Sequence, residues 1–177
     1  MSMASQRAVG GGSENDTSIL PLPQCREPQP GTLLKIGATP IRSDDLFAAS
    51  WLGEGLNTAC GSGGGRFGED LSAVWIQLAL PGPALTAALA ARGLADLGPH
   101  LLAEGYVLDA SAAHGILIGA HNSSGLFRGV QTLLQSLQPA SGAATGCVVE
   151  PATIEDWPDA PLRGVYWVGS WCDSDAS

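Results

Sequence analysis

Few residues in this chain combine a reactive type with a spacing that chemistry could use. Gly63-Gly64-Gly65-Arg66-Phe67-Gly68 satisfies the pattern Gly-x-Gly-x-x-Gly. That pattern cradles a pyrophosphate only when it follows a strand and opens a helix, so that backbone donors converge on the anion. Here it has neither flank, and a flexible loop is expected. His100, His114 and His121 fall on expected loops or strand ends with no cluster of ligands beside them, so no metal and no cofactor is expected. Cys25, Cys60, Cys147 and Cys172 sit far apart, with no Cys-x-x-Cys pair and no histidine at finger-like spacing; buried free thiols are the expectation. Asn15-Asp16-Thr17 and Asn122-Ser123-Ser124 are glycosylation sequons, the first in a polar N-terminal lead and the second where a helix cap is expected. Trp157, Tyr166, Trp167 and Trp171 could stack on a sugar, but their spacing favours packing at the end of a sheet.

The totals exclude several classes of function. With 177 residues, 45% of them hydrophobic and 14% charged, there is material for one modest core and no room for a second domain of ordinary size. A formal net charge of -9 with 8 Lys plus Arg leaves too few cations to track phosphates, so nucleic acid is not expected as a partner. The longest apolar stretch, Leu71 to Ala95, is broken by Pro81, Gly82, Pro83 and Gly93, short of the roughly 20 unbroken residues of a membrane helix. Met1 to Ser18 are polar and Gly/Ser-rich without the apolar centre of a secretory signal. As written, the sequence carries no export address and leaves the compartment open.

The elements that must position any site follow from periodicity and punctuation. Ile19 to Pro23 and Thr32 to Ile36 read as two edge strands joined by a loop over Gln24 to Gly31. Asp44-Asp45 supply capping and first-turn residues for a helix in which the apolar Leu46, Phe47, Ala49, Trp51 and Leu52 recur at near-helical spacing, which runs into the fifties and is weakened by Gly53 and Gly55. Ala73 to Leu80 is a central strand, and Ala84 to Leu97 a helix with Pro83 in its first turn and Gly98-Pro99 as its stop. Glu104 to Asp109 and Gly115 to Ala120 form a hairpin. After the caps Asn122 to Ser124, the spacing of Leu126, Phe127, Val130, Leu133, Leu134 and Leu137 predicts the clearest helix of the chain. Cys147 to Ile154 is a strand interrupted by Pro151, Asp156 to Pro161 a turn, and Arg163 to Val168 a last aromatic strand. The order gives an α+β domain, a mixed and mostly antiparallel sheet with helices packed on one face.

Several short motifs stand in an order of their own: Ile19-Leu20-Pro21-Leu22-Pro23-Gln24, the Glu104-Gly105-Tyr106 strand, the helix Gly125-Leu126-Phe127-Arg128-Gly129-Val130-Gln131-Thr132-Leu133, and Ile154-Glu155-Asp156-Trp157-Pro158 leading into Pro161-Leu162-Arg163-Gly164. Through them, most of Ile19 to Trp167 resembles the accessory domain that precedes the catalytic barrel in glycoside hydrolase family 20, the β-N-acetylhexosaminidases. Family 84, which has a similar preceding domain and its own Arg-Gly at this junction, is the alternative.

The resemblance implies three segments: a disordered lead over 1–18, an accessory domain over 19–157, and a linker with the first strand of a truncated (β/α)8 barrel over 158–177. A whole barrel needs about 250 residues. It implies an enzyme that hydrolyses terminal N-acetylhexosamines with the substrate's own acetamido group as nucleophile, oriented by an adjacent Asp-Glu pair. No Asp in this chain is followed by Glu, and Glu69-Asp70 and Glu155-Asp156 have the reverse order, so no catalytic residue is assigned. Arg163 matches the family's substrate-binding arginine at the start of the first barrel strand, where a guanidinium with several donors suits vicinal hydroxyls. The family's Leu-Asp-x-x-Arg continuation is replaced by Tyr166-Trp167-Val168-Gly169-Ser170-Trp171. The implied ligand is an N-acetylhexosamine-containing glycan, bound only together with a catalytic barrel. A stand-alone carbohydrate-binding or protein-interaction module is the alternative. In either case an apolar face made to be covered would leave the isolated chain prone to self-association.

Overall fold

Near-continuous apolar runs along Tyr106–Ser111 (β6) and Gly115–Ala120 (β7) set the architecture of the computed structural model, which describes residues 19–36, 39–61, 66–67, 76–140 and 146–160. Eleven of the twelve residues in these two strands are buried, so both faces of the sheet must be covered here. The strands pair from Tyr106↔Ala120 to Ser111↔Gly115. Their three-residue turn closes through Gly115 at φ +72, a left-handed position that suits glycine in this hairpin class.

Around this hairpin a seven-stranded sheet runs β1-β10-β6-β7-β5-β3-β4. Its other members are Cys25–Pro28 (β1), Pro40–Ser43 (β3), Arg66–Phe67 (β4), Ile76–Ala79 (β5) and Ala152–Asp156 (β10). Pairings are antiparallel on the β1 side and parallel from β7 outward. A three-stranded antiparallel sheet, Leu34–Ile36 (β2), Cys147–Val149 (β9) and Gln138–Pro139 (β8), lies apart in the order β2-β9-β8. The class is α+β with a mixed, mostly antiparallel sheet.

The helices Leu46–Cys60 (α1) and Ser123–Ser136 (α3) share one face, where Leu52, Leu56, Leu126, Val130 and Leu133 meet Ile76, Leu78, Tyr106, Leu108, Ile116 and Ile118 in one buried cluster. Pro83–Ala91 (α2) covers the opposite face through Leu85, Ala88 and Leu89 against Ala79, Val107 and Leu117. Beneath that side lies a polar chain. Gln29 Nε2 donates to Thr153 Oγ1 at 2.9 Å, and Thr153 Oγ1 donates to Asp109 Oδ1 at 2.8 Å. Asp109 Oδ2 faces Arg92 Nε at 3.1 Å; the charges adjoin although the N–H is not aimed at the oxygen. The Arg92 guanidinium instead donates to the Ala88 and His114 carbonyls at 3.1 and 2.7 Å. Burial lowers the Arg92 pKa and the Asp109 charge opposes that shift.

Several expectations change. Ile19 to Pro23 forms no strand, because Pro21 and Pro23 have no N–H for a ladder. The edge strand is instead β1, inside the expected loop, and it pairs with β10 from Cys25↔Glu155 to Pro28↔Ala152. The run Cys147 to Ile154 divides at Glu150-Pro151 into β9 and β10, which belong to different sheets. The helix expected over Ala84 to Leu97 ends at Ala91. Gly93 at φ +68 takes the left-handed cap, with Gly93 N donating to Ala90 O and Leu94 N to Leu89 O, both at 3.0 Å, the double bond of a Schellman end. In α1 neither glycine breaks the helix, and Gly55 marks a contact: a Cβ there would lie 2.5 Å from Leu134 Cδ1 on α3. Cys60 and Cys147, expected as free thiols, form a disulfide that ties the end of α1 to the small sheet. The N-terminal lead, most of the glycine-rich loop, Cys172 and the strand expected over Arg163 to Val168 lie outside the described residues.

Candidate functional site

Asp156 ends β10 directly opposite Tyr106 at the start of β6, and a cleft of about 430 Å³ opens there between α3 and the segments 20–24 and 156–160. Gly129 brings α3 close to the sheet, since a Cβ there would stand 2.4 Å from Ile118 and 3.2 Å from the Tyr106 ring. That approach places Thr132 over the phenol. The Tyr106 and Thr132 hydroxyls share a hydrogen bond, and Tyr106 also donates to Asp156 Oδ2 at 3.3 Å. Burial raises the Tyr106 pKa, a shift the Asp156 charge reinforces, so the phenol stays a donor. Gln24 N donates to Asp156 Oδ1 at 3.1 Å; its side-chain amide donates to Trp157 O at 3.5 Å and to Asp159 Oδ1. Leu20 N donates to Gln135 Oε1 of α3 at 2.7 Å. An Arg128–Glu104 ion pair at 3.2 Å stands on the rim.

The residues singled out from sequence are scattered over this region or lie beyond it. Arg163 is three residues past the described segment ending at Ala160. Trp157 packs edge-on against His100, ring centroids 4.6 Å apart, and His100 Nε2 lies 3.7 Å from Glu155; Tyr166, Trp167 and Trp171 are outside the described residues. His121 meets the Gly98 carbonyl at 3.4 Å, and His114 contributes its carbonyl to Arg92. Among the described residues no group of three metal-ligating side chains occurs. Asn122 caps α3, accepting from Gly125 N at 3.0 Å while its amide donates to the Leu102 and Ala103 carbonyls at 2.9 and 2.7 Å.

A second feature lies on the helical face. Leu46, Phe47 and Trp51, apolar positions of the expected helix, are 84%, 65% and 42% exposed. Phe47, Trp51 and Phe127 form an aromatic cluster across α1 and α3, with ring centroids 5.5 to 6.5 Å apart. Single exposed apolar residues are ordinary, whereas a contiguous group is the mark of a covered surface. Sequence periodicity shows such residues as apolar and helical but not which side of the helix has a neighbour.

The model for domain 2 of glycosyl hydrolase family 20 matches residues 16–157. The chain belongs to glycoside hydrolase family 20. The matched region is the accessory domain that precedes the catalytic barrel in this family. Among solved structures, a mutant Streptomyces plicatus β-hexosaminidase in complex with the product N-acetylglucosamine is 28% identical, with a TM-score of 0.59 over 82% of this chain and 27% of that one. The family 20 β-N-acetylhexosaminidase of Streptomyces coelicolor A3(2) is 25% identical, with a TM-score of 0.58 over 82% of this chain and 27% of that one. The Vibrio harveyi exo-β-N-acetylglucosaminidase shares the fold at 21% identity and a TM-score of 0.59, over 80% of this chain and 19% of that one. The chain thus spans about a quarter or less of the length of these relatives. No curated protein matches it. Family 84 receives no support from these likenesses.

Proposed function

We propose that this family 20 domain is the non-catalytic accessory part of a β-N-acetylhexosaminidase-like enzyme acting on terminal N-acetylhexosamine residues of glycans, and that its helical face seats the catalytic barrel. The observation that carries this reading is the coincidence of two features on one face. The aromatic cluster Phe47, Trp51 and Phe127 is uncovered on α1 and α3, and residues 156–160 run beside α3 as they leave the sheet. The polypeptide beyond Ala160 therefore starts on the side where apolar surface awaits a partner. Arg163 would open the first barrel strand and bind sugar hydroxyls, and the general acid would come from outside this chain, which has no Asp-Glu pair.

The purified chain and an Arg163→Ala variant, offered a chromogenic N-acetylglucosaminide, are both expected to give no turnover. Turnover by the chain that the variant loses would sink the accessory-domain reading. Gel filtration at increasing concentration adds an independent check: the chain is expected to associate, and a Phe47→Ser/Trp51→Ser variant to remain monomeric. Identical elution of the two at every concentration would remove the aromatic cluster from the argument.

A further inference from the structure

We infer that Tyr106, Thr132, Asp156 and Gln24 form a clamp that fixes the exit segment 156–160 to the sheet and to α3, making the junction toward Arg163 rigid. This rests on the reading above only in its purpose, since the clamp itself is a property of the domain.

The geometry has two layers. In the inner layer Tyr106, 2% exposed, is held in the sheet by its ladder pairing with Asp156 and to α3 by Thr132. Its hydroxyl reaches Asp156 Oδ2 at 3.3 Å, leaving Oδ1 to accept Gln24 N–H at 3.1 Å. One carboxylate therefore bridges β6 and the strand-free segment before β1. In the outer layer the Gln24 side chain passes the connection onward, to the Trp157 carbonyl and the Asp159 carboxylate. The Trp157 ring is fixed on its other side by His100. Bonds to an ionised acceptor are the stronger class, and the Tyr106 end of the clamp is shielded by α3.

The consequence is a fixed course for the chain as it leaves β10: the clamp reaches Asp159, one residue before the end of the described segment at Ala160. An untethered polar linker would let the domains move relative to each other, which is the ordinary expectation for a junction. Here Tyr106, Thr132, Asp156 and Gln24 act as positioning residues for the arginine, although none is placed to touch a substrate.

The test uses the 177-residue chain with two readouts. Hydrogen exchange follows the Gln24 amide, and NMR follows the Trp157 indole, whose resonance is displaced by the His100 ring. Asp156→Ala is expected to speed exchange at Gln24 by about 10- to 100-fold, the effect of losing a hydrogen bond to a charged group, with the 106–120 hairpin amides unchanged. Asp156→Asn keeps Oδ1 as a neutral acceptor and should speed Gln24 exchange by less than Asp156→Ala does, staying within about 10-fold of the parent. Gln24→Ala keeps the backbone donor, so Gln24 exchange should hold while the Trp157 indole moves toward its free position. An unmoved indole in Gln24→Ala, or Gln24 exchange that rises equally in the Asp156→Asn and Asp156→Ala variants, would overturn the clamp. A rise shared by the hairpin amides in Asp156→Ala would also overturn it, by showing general loosening. None of these outcomes depends on hydrolysis, so the clamp and the accessory-domain reading fail separately.

Discussion

Opening the Cys60–Cys147 bond should remove a large part of this domain's stability. The two cysteines are 87 residues apart in sequence, and the loop they close contains α2, the central hairpin and α3. For a loop of that length the chain-entropy relation gives about 4.6 kcal/mol at 25 °C. Domains of this size are stable by roughly 5–15 kcal/mol in total, so the unbridged domain would be marginal. Cys60 and Cys147 are 5% and 2% exposed, which shields the bond from reductant until the domain opens. The assay is urea unfolding followed by far-ultraviolet circular dichroism, for the oxidised chain, the chain reduced while unfolded, and a Cys60→Ala/Cys147→Ala variant. With a urea slope of about 2 kcal/mol per M, the midpoint of the reduced chain and of the variant should fall by about 2 M. A midpoint that reductant lowers as much in the double variant as in the parent would refute the reasoning. So would a non-reducing peptide map without the cross-linked Cys60 and Cys147 peptides. Such bonds persist in oxidising compartments and are opened in reducing ones, so the same experiment indicates where the domain can stay folded.

Two further outcomes concern polar groups. Asp109→Ala should cost about 3–5 kcal/mol in chemical unfolding, because it leaves the Arg92 charge buried and unpaired, and an Asp109→Leu/Arg92→Met pair should recover much of that loss; equal destabilisation by the single and double variants would rule out the charge as the cause. At the start of α1, Asp45 accepts from Ala48 N at 2.9 Å, and a hydrogen bond from the Ser123 side chain, with this cap, holds its pKa below the ordinary 3.8. A carboxylate whose folded pKa is depressed stabilises the fold above the unfolded value and loses that contribution as pH falls through the folded value. Below about pH 4 the parent should therefore lose stability faster than Asp45→Asn, and parallel pH profiles would show that the cap is not ionic in origin.

Much of the local structure was legible from spacing and composition. The hairpin and α3 emerge directly because two short apolar runs flanking a polar connection, and apolar recurrence at 3 and 4, are properties of a few neighbouring residues. Asn122 and Asp45 announce their caps for the same reason. The end of α2 was also written locally, in Arg92-Gly93-Leu94, but the apolar Leu94 and Leu97 carry the pattern past it, and only the left-handed Gly93 shows where the helix stops.

The remainder depended on what lies across space. That β1 is Cys25–Pro28 and not Ile19–Pro23 depends on its partner β10, more than 120 residues away. The pairing of Cys60 with Cys147 is invisible in their spacing, since it needs the small sheet to pack against the end of α1. Phe47, Trp51 and Phe127 read only as apolar helix positions, because a sequence gives the apolar character of a helix face without telling whether anything covers it. Gln24, Tyr106, Thr132 and Asp156 each stand in a different one of the four motifs, but nothing in the sequence shows that they meet; they do so because Gly129 lets α3 settle on the sheet. Sequence by itself determined the resemblance to glycoside hydrolases, the central hairpin, α3 and the absence of an Asp-Glu pair, because these are matters of residue identity and short-range pattern. Tertiary structure decided the disulfide, the uncovered helical face and the hydrogen bonds joining Tyr106, Thr132, Asp156 and Gln24, because each brings together residues whose side chains interact only after the chain has closed long loops.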